Sequence, residues 1–357
     1  IHILQKNKVT HVTFPPSALA VLPDVNLPDL ECIIVAGEPC PSHLVEKWGK
    51  GRNFFNGYGP TEATVCATVY QYDGKNTAMP IGKPISNYQI YILDPNLQPV
   101  PIGVSGEIHI GTVGLARGYL HRPELTQEKF IANPFSNEEG SKLYKTGDLG
   151  FYLPDGNIQF LGRIDHQVKI RGFRIEVGEI ESVLAQHPQI KEVIVIPRED
   201  TPGDKRLVAY YVTSDHQEIL THKLREYLGE HLPNYMIPAV FIPLQNIPLT
   251  PNGKVDRKAL PAPDPHRPQL ESVYVAPKGE LESILAKIWT QLLNIDQVGI
   301  YDNFFDLGGN SLLVLRVVSQ LKDQLNIDVG ITKIFQYPTI NDLAQYLSQQ
   351  GNSASIF

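Results

Sequence analysis

The 357-residue sequence is poor in cysteine, tryptophan and methionine, with three, two and two of each. It holds no apolar run near the roughly 20 residues a membrane-spanning helix requires. The cysteines, Cys32, Cys40 and Cys66, are odd in number and confined to the first 66 residues, which argues against a disulfide framework. They also lack a metal-partner spacing, so a reducing, cytoplasmic setting is expected. A basic excess is missing as well. Lys and Arg total 31 against 38 Asp and Glu, a net charge of -7, so the chain lacks the electrostatic footprint of a nucleic-acid binder. No signal-peptide pattern is visible. The first residue is Ile1 rather than Met, and the chain reads as an interior piece of a longer polypeptide. There is no internal repeat and no low-complexity tract.

What is present is ordinary globular material, 42% hydrophobic and 19% charged, enough for one to three packed domains. From Ile1 to about Gly162, short β-type runs alternate with turns, as in Glu31–Gly37, Gln89–Leu93 and Gly106–Ile110. From Asp165 to about Leu260 the pattern is mixed. Val168–Ile170, Glu192–Pro197 and Leu207–Val212 read as strands, and Glu176–Ala185 and Leu220–Leu228 as helices. Pro261, Pro263, Pro265, Pro268 and Pro277 mark a stiff linker. Beyond it Leu281, Ile284, Leu285, Ile288 and Leu292 fall at helical spacing, with further helices predicted over Ser311–Leu325 and Ile340–Leu347. A helical bundle of about 75 residues follows from that pattern.

Five segments carry candidate chemistry. In Asn56-Gly57-Tyr58-Gly59-Pro60-Thr61-Glu62 a turn presents an aromatic face for a base, and hydroxyl and carboxylate oxygens of the kind Mg²⁺ favours; a capped surface turn is the plainer reading. In Tyr144-Lys145-Thr146-Gly147-Asp148-Leu149 a carboxylate after a glycine turn suits a ribose diol, although an ordinary β-turn fits equally. The run 162–176 clusters Arg163, Lys169, Arg171 and Arg174 between glycines, suiting phosphate contacts better than a solvated basic strand edge. Asn252-Gly253-Lys254 is a hairpin signal holding a lysine at a loop tip. In 302–312 two glycines lead to Ser311 at a helix start, either as a cap or as an exposed hydroxyl awaiting covalent attachment.

In order and spacing these segments resemble the core motifs of the adenylation domains of nonribosomal peptide synthetases, within the acyl-adenylate-forming superfamily. They read NGYGPTE (56–62), GEIHIGTVGLARGYL (106–120), YKTGDL (144–149), GRIDHQVKIRGFRIEVGEIE (162–181), LPNYMIP (232–238) and NGKVDR (252–257). DNFFDLGGNSL (302–312) resembles the phosphopantetheine site of a peptidyl carrier protein. The resemblance implies a multi-domain chain: an α/β remnant of the large adenylation subdomain (1–164), a small α+β subdomain (165–262), a Pro-rich linker (263–276), an all-α four-helix-type carrier bundle (277–350) and a tail (351–357).

It also implies roles. Asn56 and Tyr58 would address adenine, Gly59 would belong to the same ATP/AMP site, Thr61 and Arg174 would meet phosphate, Asp148 the ribose with help from Arg163, and Glu62 Mg²⁺. Asp165 would be the hinge, Gly172 would flank the pantetheine path, and Lys254 would be the catalytic lysine at the substrate carboxylate and α-phosphate. Thr13, Ile34, Ala36, Gly37, Gly57, Val65 and Cys66 would line a side-chain pocket suited to phenylalanine, with tyrosine and leucine next. Ser311 would carry phosphopantetheine. ATP, Mg²⁺ and covalent phosphopantetheine are the implied cofactors. An amino acid, a phosphopantetheinyl transferase and neighbouring condensation or other synthetase domains are the implied partners, with no nucleic acid and no membrane. The family's phosphate loop and ammonium-binding aspartate are expected upstream of Ile1, so the chain alone is expected not to adenylate. Asn310 stands where the family more often has His or Asp. A stand-alone acyl- or aryl-CoA ligase would not need the carrier-like block. A decayed carrier or interaction module would be expected to have lost Lys254, Asp148 or Glu62.

Overall fold

The computed structural model describes residues 1–354 except 24, 75–78, 166, 201–204, 215–216, 265, 269 and 271. His166 of the 162–181 motif, Pro265 of the linker and residues 355–357 of the tail therefore lie outside the described residues. The chain divides into two compact units, Ile1–Ile175 and Glu176–Phe357. Segment 165–175, grouped with the second block on sequence, clusters with the first.

The first unit contains α1 (His2–Lys6), β1 (His11–Phe14), α2 (Pro16–Ala20), β2 (Cys32–Ala36), α3 (Ser42–Trp48), β3 (Asn53–Tyr58), β4 (Thr68–Gln71) and β5 (Lys83–Pro84). These strands form one sheet in the order β1-β2-β3-β4-β5, its first three members parallel. Side chains alternate between the faces of a strand, which assigns every residue a side. Ile33, Val35 and Phe54 point one way and are buried against Leu19, Leu44, Val45 and Trp48 from α2 and α3. Thr13, Ile34, Ala36 and Gly57 take the other parity. Register pairs Thr13 with Ile34 and Ala36 with Gly57.

A second, antiparallel sheet follows: β6 (Gln89–Leu93), β7 (Gly106–Gly111), β8 (Phe130–Ala132) after α4 (Pro123–Lys129), β9 (Lys142–Tyr152) and β10 (Ile158–Arg163), in the order β10-β9-β7-β6 with β8 beside β9. Tyr58, Ala63 and Ala67 share a core with Ile90, Ile92, Ile108, Ile110 and Ile158, so the two sheets are packed into one body. The hairpin of β11 (Val168–Ile170) and β12 (Phe173–Ile175) ends this unit.

The second unit begins with α5 (Val177–Leu184), β13 (Ile190–Arg198), β14 (Arg206–Thr213), α6 (Thr221–Gly229) and β15 (Val240–Pro243). The strands form a sheet in that order, β13 antiparallel and β15 parallel to β14. Four helices complete it: α7 (Glu280–Leu293), α8 (Ser311–Leu325), α9 (Ile331–Gln336) and α10 (Ile340–Ala354). Their apolar faces close on Trp289 and Phe304, whose rings meet edge-on at 4.8 Å, with Leu285, Val314, Val317, Ile334 and Leu343 around them. The sequence pattern located three of these helices; α9 is too short for its periodicity to register. No helix among the described residues is long and apolar enough to cross a membrane, and all three cysteines are free.

Candidate functional site

In an open α/β sheet, ligands bind beyond the carboxyl ends of the parallel strands. A cavity of about 250 Å³ lies there, lined among others by Gly37, Glu38, Asn56, Gly57, Tyr58 and Lys169. Strand parity divides its surroundings. Asn56 and Tyr58 lie on the buried-helix side of β3. Ala36 and Gly57 lie on the other, with the Cys66 thiol 3.6 Å from where a Cβ on Gly57 would stand. Thr13 and Ile34 continue that second face. Val65 is brought to neither group: it is 78% exposed. Gly37 lines the cavity, and Gly59 precedes Pro60 at the end of β3. Thr61 is exposed, two residues beyond.

Asp148 is the centre of the polar network, although only 3% of it is exposed. A buried carboxylate is costly unless paired. Here the Tyr58 hydroxyl donates to Oδ2 at 2.6 Å and Arg163 Nη1 donates to Oδ1 at 2.8 Å. Burial, then the Asp148 charge, push the Tyr58 hydroxyl well above its ordinary pKa, so it remains a donor. Arg163 also donates from Nε and Nη2 to Asp165 at 2.7 and 2.6 Å, a planar two-point pairing. Burial alone would raise the Asp165 carboxyl, but Arg163 outweighs it and holds the carboxyl below its usual value. Gly147 adopts φ +72° under this network, and a Cβ there would stand 2.8 Å from Arg163 Nη2, so glycine is required.

A second network surrounds Glu62, 9% exposed in a one-turn helix after Pro60. Tyr119 donates to Oε1 at 2.6 Å and Arg174 Nη1 to Oε2 at 2.9 Å. Burial pushes the Glu62 carboxyl up, but the Tyr119 hydrogen bond and the Arg174 charge prevail and hold it below its ordinary 4.5. The same hairpin places Lys169 Nζ 5.7 Å from the centre of the Tyr58 ring. Burial lowers the Lys169 pKa, and the Asp148 charge opposes that. Gly172, at the hairpin turn, donates its N–H to Glu38 Oε1 at 2.8 Å.

Tyr119 and Glu38 were not assigned from sequence, and Lys169 only as one of a basic cluster suited to phosphate. For Lys169 a signal existed: it sits between Val168 and Ile170, both buried, so its parity directs it to the opposite face. For the Tyr119–Glu62 contact, 57 residues apart, sequence offers none.

In the second unit Lys254 is exposed at the closing end of a turn, where its carbonyl accepts from Thr250 N–H at 2.7 Å, and not at the tip, which is Asn252-Gly253. Ser311 is the first residue of α8 and exposed. The cap is Asn310, whose Oδ1 accepts from Leu312 and Leu313 N–H at 3.0 and 3.1 Å. This removes the reading of Ser311 as the cap and leaves its hydroxyl outside the capping bonds. Gly309 lets the chain reach this point, since a Cβ would stand 2.3 Å from the Phe304 ring.

Comparison with known proteins agrees with this division. The family model for AMP-binding enzymes matches residues 1–120, that for the AMP-binding enzyme C-terminal domain 179–254, and that for the phosphopantetheine attachment site 283–347. The chain is 49% identical to a linear gramicidin synthase of Brevibacillus parabrevis over 99% of its length, and 47% identical to tyrocidine synthase 1 of the same organism over 97%. It spans 7% and 32% of those relatives. A solved nonribosomal peptide synthetase protein containing adenylation and PCP domains superposes over 98% of this chain and 58% of its own, with TM-score 0.78 at 25% identity. Fold and matches together define an adenylate-forming architecture joined to a carrier. The chain belongs to the nonribosomal peptide synthetases, as the C-terminal part of an adenylation domain followed by a peptidyl carrier domain.

The Glu62–Arg174 pair yields a measurable expectation. A double-mutant cycle with Glu62→Gln and Arg174→Gln should give a coupling of about 0.5–3 kcal/mol in unfolding experiments. Because the Glu62 carboxyl is held below 4.5, the coupling is fully present above that pH and is lost as pH falls through the lower folded value. A coupling unchanged well into acid would contradict the pairing.

Proposed function

We propose that the chain takes part in amino-acid activation within a longer synthetase: an amino acid and ATP give aminoacyl-AMP and pyrophosphate, and the aminoacyl group then passes to phosphopantetheine on Ser311. One observation carries the reading. A buried carboxylate is held from two sides, one of its donors, Tyr58, lining the cavity beyond the parallel strands, in the same chain as an exposed serine relieved of capping by its neighbour. The relatives named as gramicidin and tyrocidine synthases support it.

For the nucleotide, Asn56 and Tyr58 offer an amide and a ring at the cavity wall. Asp148 keeps acceptor capacity for ribose hydroxyls, since a carboxylate has about four lone-pair sites and two are in use. Arg163 acts on Asp148, fixing its orientation. Arg174 and Thr61 would meet phosphate. Mg²⁺ fits Glu62 only with Arg174 moved off it. No group of three or more potential metal-ligating side chains occurs among the described residues, so phosphate and water oxygens would complete the shell. The ion would offset charge on the phosphates. Lys254 would do the same at the reacting carboxylate and α-phosphate, where the carboxylate oxygen bonds to phosphorus as the bond to pyrophosphate breaks. Phosphopantetheine fits the exposed Ser311 hydroxyl, and when attached supplies the thiol that accepts the aminoacyl group as AMP departs. Asp165 would be the hinge and Gly172 would border the approach.

The free cysteines favour a cytoplasmic setting. A phosphopantetheinyl transferase and neighbouring synthetase domains are the partners this reading requires.

A phosphopantetheinyl transferase with coenzyme A should add one pantetheine to this chain by intact mass, and none to Ser311→Ala; addition at another residue would refute the assignment. In the complete synthetase, Lys254→Ala should slow adenylate formation by orders of magnitude while transfer from preformed adenylate persists. Equal loss of both half-reactions would sink the assigned role.

The side-chain pocket would be formed by Thr13, Ile34, Ala36, Gly37, Gly57 and Cys66, with the exposed Val65 outside it. None is charged, so burying a charged substrate side chain would be costly, and the missing side chain at Gly57 leaves room for a large apolar one. Phenylalanine, then tyrosine and leucine, should lead a panel of amino acids in pyrophosphate exchange on the complete domain. A preference for acidic, basic or very small substrates would contradict the pocket.

A further inference from the structure

The Pro-rich segment between the small subdomain and the carrier is fastened at both ends. On the side of the small subdomain, the Tyr210 hydroxyl donates to Pro261 O at 2.8 Å, and Leu260 is buried in the sheet's core. On the carrier side the fastening is stronger. Asp302, with no exposed surface, sits at the centre of a four-donor cage: Arg267 Nε and Nη2 at 2.7 and 2.6 Å, Ser272 Oγ at 2.8 Å and Gly299 N–H at 2.7 Å. Arg267 Nη2 also donates to Ser272 O at 2.7 Å. Leu270 and Val275 pack on the bundle core, and Ile300 N–H donates to Val275 O at 2.9 Å. His266 Nδ1 lies 2.7 Å from Asp296 Oδ2 at the exposed rim.

Asp302 is a carboxylate with no water access, so removing its cation would leave a buried charge unpaired. Breaking such a pair is strongly destabilising. The Arg267 contact is therefore part of the carrier's folded body. In sequence four residues, 262–265, separate Pro261 from His266, and four residues reach roughly 15 Å at full extension.

We propose that Arg267 is a positioning residue: by clamping Asp302 it makes residues 266–276 a strap of the carrier and shortens its tether to about four residues. The consequence for loading rests on the activation reading above; the strap itself does not. If the clamp is released, the free tether grows from about 4 to about 15 residues. Effective concentration falls roughly as the −3/2 power of length, so self-loading should drop about sevenfold.

Two experiments test this. In the present chain, hydrogen exchange should find the amides of residues 267 and 300 protected, since they donate to Asp296 Oδ1 and Val275 O, and Arg267→Ala with Asp302→Asn should abolish that protection while α7 and α8 stay protected. The double variant avoids leaving a lone buried charge. Native exchange at unfolded-peptide rates, or protection unchanged in the variant, would overturn the strap. In the complete synthetase, the same variant should load its own carrier several-fold more slowly, with pyrophosphate exchange and pantetheinylation of Ser311 unchanged. Inserting about ten Gly and Ser residues after Ala262, which leaves the clamp intact, should give the same loss. Self-loading unaltered by both changes would overturn the positioning role. Absence of pyrophosphate exchange in the native synthetase would instead overturn the activation reading, with the strap judged by its exchange protection.

Discussion

The first unit depends on one buried carboxylate. Asp148 stands on β9 in the antiparallel sheet, Tyr58 at the end of β3 in the parallel one, and Arg163 at the end of β10. Neither sheet alone could keep that charge out of water. Pairing it from both sides holds the carboxyl ends of the parallel strands against the second sheet, and the cavity forms at that junction. The apolar core shared by Tyr58, Ile90, Ile108 and Ile158 supplies cohesion without direction. The hydrogen bonds of Asp148 supply the direction, and Arg163, also bound to Asp165, carries the same constraint toward the hairpin that follows.

The hairpin shows how much a charged segment needs its seat. Lys169 and Arg174 project from its two strands, and each has a reason to remain. The Tyr58 ring and the nearby Asp148 charge face Lys169, and Glu62 faces Arg174. At the turn, Gly172 contributes a backbone N–H to Glu38. Three acidic residues from distant parts of the chain thus balance a basic segment that would otherwise be solvated. A ligand that brings phosphate to the same place competes for those cations and offers Glu38 and Glu62 nothing in return, so the seat responds to charge more than to shape.

Local physics was the legible part of the sequence. β-branched runs bounded by turn residues located β2, β6 and β7, and helical spacing placed α7, α8 and α10. The ordered motifs located Tyr58, Asp148, Arg163 and Ser311. What escaped was pairing across long separations: Tyr119 with Glu62, Glu38 with Gly172, Arg267 with Asp302. Each is a polar contact between residues that look like ordinary surface groups in the linear chain. Burial gives them meaning, and burial of a single charged residue has no periodic signature. Ser311 shows the reverse case. The expectation that a helix-start serine caps its own helix is sound in general, yet Asn310, one residue earlier, accepts both N–H bonds.

The same reasoning explains why composition misleads in the proline-rich stretch. Five prolines between 261 and 277 read as a spacer, because proline stiffens a chain and withholds a donor. Proline is silent about whether the residues between are held. Arg267 supplies a fork of donors and no acceptor, and Asp302 is an acceptor with no business in an apolar core. Each is costly alone, and together they make a closed unit with Ser272 and Gly299. A buried ion of either sign in a helical bundle therefore marks where another segment must arrive. In this chain that segment is the one composition alone would have left in solvent.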